Sequence, residues 1–314
     1  MAPPIATEPT APAAIEFDHV SRWYGNIVAV NDISFSLNAG ITGLLGPNGA
    51  GKSTMLHMLA GFLQPSSGNV RVLGQPAWGN PEMYRRVGLV PERESVYPFL
   101  TGYEFVLDSA RLHHLANAEE ATMKAIRMVE LEDAMGRASG GYSKGMKQRI
   151  KIAAALVHEP DVLLLDEPFN GADPRQRLHL MDLLREMAAN GRTIVFSSHI
   201  LEEVERLAED VLVIVSGRLA ASGDFREIRK LMTDRPHTFV VRASDNRKLA
   251  ADLVSDPSVY GVELQGNDLQ VRTSEFAAFT RAVAGVARRA DVSIFEIRPT
   301  DESLESVFSY LVKR

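Results

Sequence analysis

The chain contains no cysteine. That absence removes disulfides, thiolate metal sites and cysteine nucleophiles from its chemistry, and it is compatible with a reducing compartment. Long apolar runs are also missing. The longest, Ile152 to Val157, falls short of two helical turns, whereas a bilayer-spanning helix needs roughly 20 apolar residues, so no membrane span is expected. Positive charge is in deficit, the formal net charge being −6, which argues against wholesale nucleic-acid binding. Residues 1–14 are rich in Pro, Ala and Thr and lack the basic start and long apolar centre of a signal peptide; they are expected to form a disordered tail outside the fold. What is present is a chain of 314 residues with 45% hydrophobic content, enough for about two domains with a buried core.

The most informative stretch is Gly46-Pro47-Asn48-Gly49-Ala50-Gly51-Lys52-Ser53-Thr54, which fits a phosphate-binding P-loop residue by residue. Its context fits as well. Ile41 to Leu45 is short and apolar, and Met55 to Leu63 is apolar at helical spacing, so the glycines fall at a strand-to-helix turn. Glycine lets successive backbone N–H groups converge without Cβ clashes, and the opening helix adds free N–H groups and the positive end of its dipole. Asn48, Gly49, Ala50 and Gly51 would hold phosphate oxygens through the main chain. Lys52 would reach the β- and γ-phosphates, Ser53 would ligate Mg²⁺, and Thr54 would add a weaker hydroxyl contact.

Around this loop the pattern predicts an α/β fold. Ile15–Phe17, Ile33–Leu37 and Val70–Val72 alternate apolar with polar residues, as half-buried antiparallel strands do. Val87–Val90, Val162–Leu165 and Thr193–Phe196 are continuous apolar runs separated by long helical stretches, as in a parallel sheet covered on both faces. Thr101 to Leu156 reads as a mainly helical insertion. Ser216-Gly217 offers a hairpin turn after Val211–Val215. From His237 the order becomes βαββαβ, the ferredoxin-like split arrangement, with an added helix from Ser303 to Leu311. The expected organisation is therefore a domain over 15–232 with a helical part at about 101–156, then a small α+β accessory domain over 236–314. That second domain shows no chemical constellation, and its acids and arginines are spaced like solvated faces.

A second motif narrows the chemistry. Val162-Leu163-Leu164-Leu165-Asp166-Glu167-Pro168 is an apolar strand ending in two carboxylates, as a Walker B motif does. Asp166 can hold Mg²⁺, and Glu167 can orient or deprotonate an attacking water. A helix N-terminus accounts for one such acid by its dipole, but not for the pair after a buried strand.

With these pieces in order, residues 15–232 resemble the ATP-binding cassette (ABC) family. The resemblance implies roles for further residues. Tyr24, in Arg22-Trp23-Tyr24-Gly25, matches the aromatic residue that stacks on adenine. Tyr142-Ser143-Lys144-Gly145-Met146 resembles the family signature, with Lys144 and Met146 departing from its usual Ser-Gly-Gly-Gln core; Ser143 and Gly145 would present hydroxyl and backbone to a γ-phosphate at a helix start. The alternative register Ser139-Gly140-Gly141-Tyr142 leaves Gln148-Arg149 out of place. Asp173, in Gly171-Ala172-Asp173-Pro174, matches the loop through which two cassettes communicate, and His199 matches the switch histidine that senses the γ-phosphate. Glu92 stands where the family has a glutamine touching Mg²⁺ and the attacking water.

In the family the signature faces the P-loop of another subunit, and this chain carries one set of motifs. The resemblance thus implies a dimer, homodimeric or heterodimeric, with ATP and Mg²⁺ at its interface. It also implies a separate transmembrane permease that holds the chain peripherally at the cytoplasmic face of the membrane. The Tyr-Ser-Lys-Gly-Met signature and the tail at Ser303–Phe308 look most like ATPase subunits of ABC-2-type bacterial exporters. Two other readings stand beside it: a soluble ABC ATPase acting on ribosomes or DNA, and a nucleotide-dependent assembly module with little turnover. Neither tandem cassettes nor a long coiled-coil insertion is present, and Lys52, Asp166, Glu167 and His199 serve chemistry more than folding.

Overall fold

The computed structural model describes residues 13–93, 96–224, 237–266, 268–273 and 275–299. The chain divides into two compact units, Met1–Ser222 and Gly223–Arg314. The division falls ahead of the expected boundary at 232–236, because the last strand of the first unit ends there; residues 225–236, the added helix at 303–311 and the tail up to residue 12 lie outside the described residues.

The first unit opens with β1 (Ile15–Tyr24) and β2 (Ile27–Leu37) as an antiparallel pair. Phe17 opposes Phe35, and their rings stack at 4.7 Å, a cross-strand aromatic contact of the kind that fixes register. With β4 (Ser67–Val72) and β5 (Gln75–Pro76) they form a sheet of order β2-β1-β4-β5. Both leading strands run longer than the alternation at Ile15–Phe17 and Ile33–Leu37 suggested. Irregularities between Phe17 and Trp23 break the period of two, so pairing continues where the sequence pattern stops.

The main sheet holds β3 (Gly40–Leu45), β6 (Val87–Val90), β7 (Val162–Asp166), β8 (Thr193–Ser198), β9 (Asp210–Val215) and β10 (Arg218–Gly223) in the order β10-β9-β3-β8-β7-β6. The pairs β6–β7, β7–β8, β8–β3 and β3–β9 are parallel. Parallel strands covered on both faces read as unbroken apolar runs, and every residue of β7 and β8 is buried. The carboxyl ends of these strands therefore emerge together along one edge, where open α/β sheets bind ligands.

Helices α1 (Lys52–Leu59), α2 (Gly102–Leu112), α3 (Ala118–Met128), α4 (Lys144–Leu156), α5 (Pro174–Ala189) and α6 (Leu201–Leu207) complete the unit. The start of α2 is set by a capping box: Thr101 Oγ1 accepts from the Glu104 N–H, and Glu104 Oε2 accepts from the Thr101 N–H. Helix α2 packs against α3 and α4, and α4 also packs on β6.

The second unit contains β11 (His237–Ala243), α7 (Asn246–Leu253), β12 (Val259–Gln265), β13 (Asp268–Thr273), α8 (Phe276–Arg289) and β14 (Ile294–Pro299). Its antiparallel sheet has the order β12-β13-β11-β14, the ferredoxin-like topology. Phe239, Val241, Leu269 and Val271 meet Leu249, Leu253 and Phe279 in its core. Arg242, between Asp268 and Glu296, belongs to the charged pattern read above as solvated. Strand β14 starts at Ile294, and Val292 just ahead of it is buried in the core cluster.

The β9–β10 hairpin turns on Ser216 and Gly217, at φ 49° and 76°, the positive pair that a type I′ turn requires. The Gly217 N–H donates to Ala50 O (3.1 Å) and Gly217 O accepts from the Asn31 N–H (2.7 Å), so this turn also braces the P-loop and β2. Asparagine occupies left-handed backbone more readily than serine. Ser216→Asn is expected to raise unfolding stability by up to about 1 kcal/mol in chemical denaturation.

Candidate nucleotide site

Strand β3 ends at Leu45, and residues 46–51 turn the chain into α1. Two glycines in this turn have backbone angles that L side chains resist: Gly49 at φ +79° and Gly51 at φ +107°. A Cβ on Gly51 would stand 2.3 Å from Ala29 O of β2, so the loop lies directly on that strand. Helix α1 begins with no side-chain cap, which leaves its first-turn N–H groups for another acceptor. Lys52 is buried, and its Nζ donates to Gly46 O (2.7 Å) and Pro47 O (3.2 Å). Burial lowers its pKa, against the opposing fields of Glu167, Asp166 and Glu92.

A cavity of about 290 Å³ opens over this turn, lined by Asn48 through Thr54 and Ala29 on one side and by Glu92, Asp166 and Glu167 on the other. Parallel pairing sets Asp166 beside Ser197 of β8. Ser197 Oγ donates to Asp166 Oδ1 (2.5 Å) and accepts from the Glu167 N–H (2.9 Å). Glu167 itself sits at φ +51°, a left-handed conformation that is uncommon for a residue of its size and clusters at functional sites. Its Oε2 lies 2.9 Å from His199 Nδ1. An ionised carboxylate only accepts, so Nδ1 then carries the proton and Nε2 is the ring's acceptor. Burial raises the pKa of Glu167 and the nearby Asp166 adds to this, while His199 and Lys52 pull it down. A carboxylate whose proton affinity is raised by burial, next to an imidazole, is poised to take a proton.

Glu92 follows β6, whose parallel pairing with β7 carries it to the same cavity from the far side of Asp166. Among the described residues no group of three His, Asp or Glu side chains can hold a metal ion. Mg²⁺ takes one or two carboxylates plus substrate phosphate oxygens and water, and the residues expected to ligate it, Ser53, Asp166 and Glu92, all line the cavity, beside the oxygen-bearing side chains of Thr54 and Glu167.

Other predicted residues lie outside the cavity lining. His199 reaches it only through Glu167. Tyr24, at the β1–β2 hairpin, is exposed, with the Arg22 guanidinium 4.8 Å from its ring centre. Ser143 is the N-cap of α4 and accepts from the Met146 N–H (3.2 Å). Ser139, the rejected alternative, is buried in a single 3₁₀ turn and donates to Tyr97 O. Gly145 packs so closely on the loop before α5 that a Cβ would stand 2.7 Å from Gly171 O. Asp173 caps α5 through the Gln176 N–H (2.9 Å), so the starts of α4 and α5 form one surface. Two participants escaped the sequence reading: Ala29, whose only signal is its strand, and Ser197, whose signal was its place at the end of an apolar run beside Ser198.

The family pattern for ABC transporters matches residues 30–170. An ABC transporter ATP-binding protein of Bacillus subtilis, YxlF, is 31% identical over 95% of this chain and 99% of its own length. The chain belongs to the ABC transporter ATP-binding proteins. The Nod factor export ATP-binding protein I of Burkholderia lata is 41% identical over 68% of this chain and 71% of its own. A solved ATP-binding subunit of an ABC transporter superposes with a TM-score of 0.64 at 31% identity, covering 69% of this chain and 92% of that one. This ABC ATPase thus binds ATP and couples its hydrolysis to transport, and every residue lining the P-loop cavity except Ala29 falls within the matched region.

Three outcomes follow for this ABC ATPase. Glu167→Gln is expected to lower phosphate release by about 10²-fold or more while ATP binding persists. A raised carboxyl pKa contributes stability below the ordinary carboxylate range that is lost as pH climbs through the raised value. The variant, which cannot ionise, is therefore expected to melt higher than the wild type near neutral pH, with the gap closing toward pH ~4. Glu92→Gln is expected to retain or raise ATPase activity, because glutamine keeps an oxygen ligand and removes a charge that opposes the γ-phosphate; collapse of turnover in a folded protein would refute this.

Proposed function

We propose that this chain powers a membrane exporter as an Mg²⁺-dependent ATPase that works in pairs, with two nucleotides held between two cassettes. The observation that carries this reading is the separation of the motifs. Lys52, Asp166 and Glu167 share one cavity, whereas Ser143 and Gly145 lie outside its lining, on the surface formed by α4 and the Asp173 loop. A site so divided is completed by a second copy or a related chain, the signature of each facing the P-loop of the other.

Within such a pair, Lys52 would exchange the carbonyl oxygens of Gly46 and Pro47 for β- and γ-phosphate oxygens, and the N–H groups at the start of α1 would hold the rest. Tyr24 would stack on the base. Mg²⁺, when bound by Ser53, Asp166 and Glu92, would neutralise charge building on the phosphates. Glu167 would take a proton from water as that water's oxygen bonds to the γ-phosphorus and ADP leaves, and His199 would hold Glu167 through its Nδ1–H. Asp173 would transmit the state of one site to the other.

A separate permease chain would carry the membrane path; no helix among the described residues is long and apolar enough to cross a membrane. A groove of about 240 Å³ supports its docking: Phe62, Tyr84, Phe105 and His113 line it, and it reaches Pro91, next to Glu92. Tyr97 and Phe99 are also exposed, with their rings 5.8 Å apart. Contact there would place this chain peripherally at the cytoplasmic face of the membrane. Export is supported by the Nod factor export relative and by the Tyr-Ser-Lys-Gly-Met signature.

Light scattering on Glu167→Gln is expected to show a monomer without nucleotide and a dimer with Mg²⁺-ATP. Adding Ser143→Arg, which puts bulk on the proposed interface, should abolish the dimer. A membrane protein is expected to co-purify with the wild type; recovery of ribosomes in its place would sink the exporter reading.

A further inference from the structure

Lys151 lies in the interior of α4 and is 5% exposed. Its neighbours Ile150, Ile152 and Ala153 are buried as well. An ammonium group in such surroundings is costly unless its N–H donors are satisfied. Its Nζ donates to three consecutive carbonyl oxygens of one loop: Pro91 O at 2.7 Å, Glu92 O at 3.4 Å and Arg93 O at 3.2 Å. This loop continues β6 and carries Glu92 into the nucleotide cavity.

The backbone brings the two elements together independently of the lysine. Gly88 of β6 has no side chain, and a Cβ there would stand 2.6 Å from Ala155 O, so α4 lies directly on the strand. Lys151 is one turn before Ala155, and Pro91 is three residues after Gly88, which aligns the ammonium with the end of the strand. At the other end of the same helix Ser143 is the N-cap, eight residues or ~12 Å away. One rigid element therefore holds both the signature and the main chain around Glu92. A side chain chosen only to fill this space would be apolar, whereas three N–H donors suit a loop that presents three acceptors.

We propose that Lys151 is a positioning residue for the ATPase reaction: it fixes the Glu92 loop to the signature helix, so that Glu92 meets the metal only when α4 is in place. It acts on substrate only through Glu92, and the inference rests on the proposed metal role of that residue.

The test uses the full-length protein and four forms: wild type, Lys151→Met, Glu92→Ala and the double variant. Steady-state phosphate release is measured against Mg²⁺ concentration, and ATP affinity is measured separately by equilibrium binding without metal. Lys151→Met is expected to lower kcat and weaken half-saturation by Mg²⁺, each by about 10-fold, as loss of an outer partner of a metal ligand does. Metal-free ATP affinity should stay within about twofold, since no contact of Lys52 is touched. In the double variant the two effects should not multiply. Multiplicative loss, or a drop in metal-free ATP affinity that matches the drop in kcat, would overturn the proposal in favour of a packing role. If Glu92→Ala leaves the Mg²⁺ dependence unchanged, the metal role of Glu92 fails; if Glu92→Ala shifts it and Lys151→Met does not, the positioning role of Lys151 fails. Should Lys151→Met not fold, Lys151→Arg keeps the donors but alters their reach. A shifted Mg²⁺ dependence at constant ATP affinity then supports the proposal, and an unshifted one overturns it.

Discussion

Parallel pairing of β7 with β8 is the constraint on which the site depends. It places Asp166 level with Ser197, and a single hydroxyl then fixes Asp166 through its oxygen and Glu167 through its main-chain N–H. From that point the chain turns back on itself at Glu167, whose carboxylate is met by His199 from the end of β8. β3 lies on the other side of β8, so the same sheet delivers the P-loop opposite the acids. A slip of one residue in any of these ladders would turn every side chain to the opposite face.

The chemistry rests on groups that water would serve better. Lys52, Asp166 and Glu167 are all buried, and the lysine rests on the carbonyl oxygens of its own loop. Such an arrangement stores unfavourable solvation that phosphate and metal can relieve. It is the common pattern in which a site gives up folding stability to be preorganised for its substrate.

Much of this architecture is legible in the residues. The unbroken apolar runs at 87–90, 162–165 and 193–196 announce strands buried on both faces, and the glycines at 49 and 51 announce a turn. What sequence alone conceals is lateral. No local signal pairs Asp166 with Ser197, or ties Lys151 to carbonyl oxygens some 60 positions earlier. Main-chain acceptors carry no side-chain identity, so their partners become visible only when strands and helices are set side by side. The irregular pairing of β1 escapes for a related reason, since a bulge erases the period of two that marks a strand.

The left-handed backbone at Glu167 also bears on how such a chain could decay. Glycine, asparagine and aspartate adopt φ near +50° more easily than glutamate does, so folding exerts no pull toward the residue found there. On the proposed reading, it is the catalytic use of its carboxylate that would keep it. A copy of this cassette released from that use would be free to drift first at 167, gaining backbone comfort as it lost chemistry, while its glycines at 49 and 51 stayed fixed by sterics.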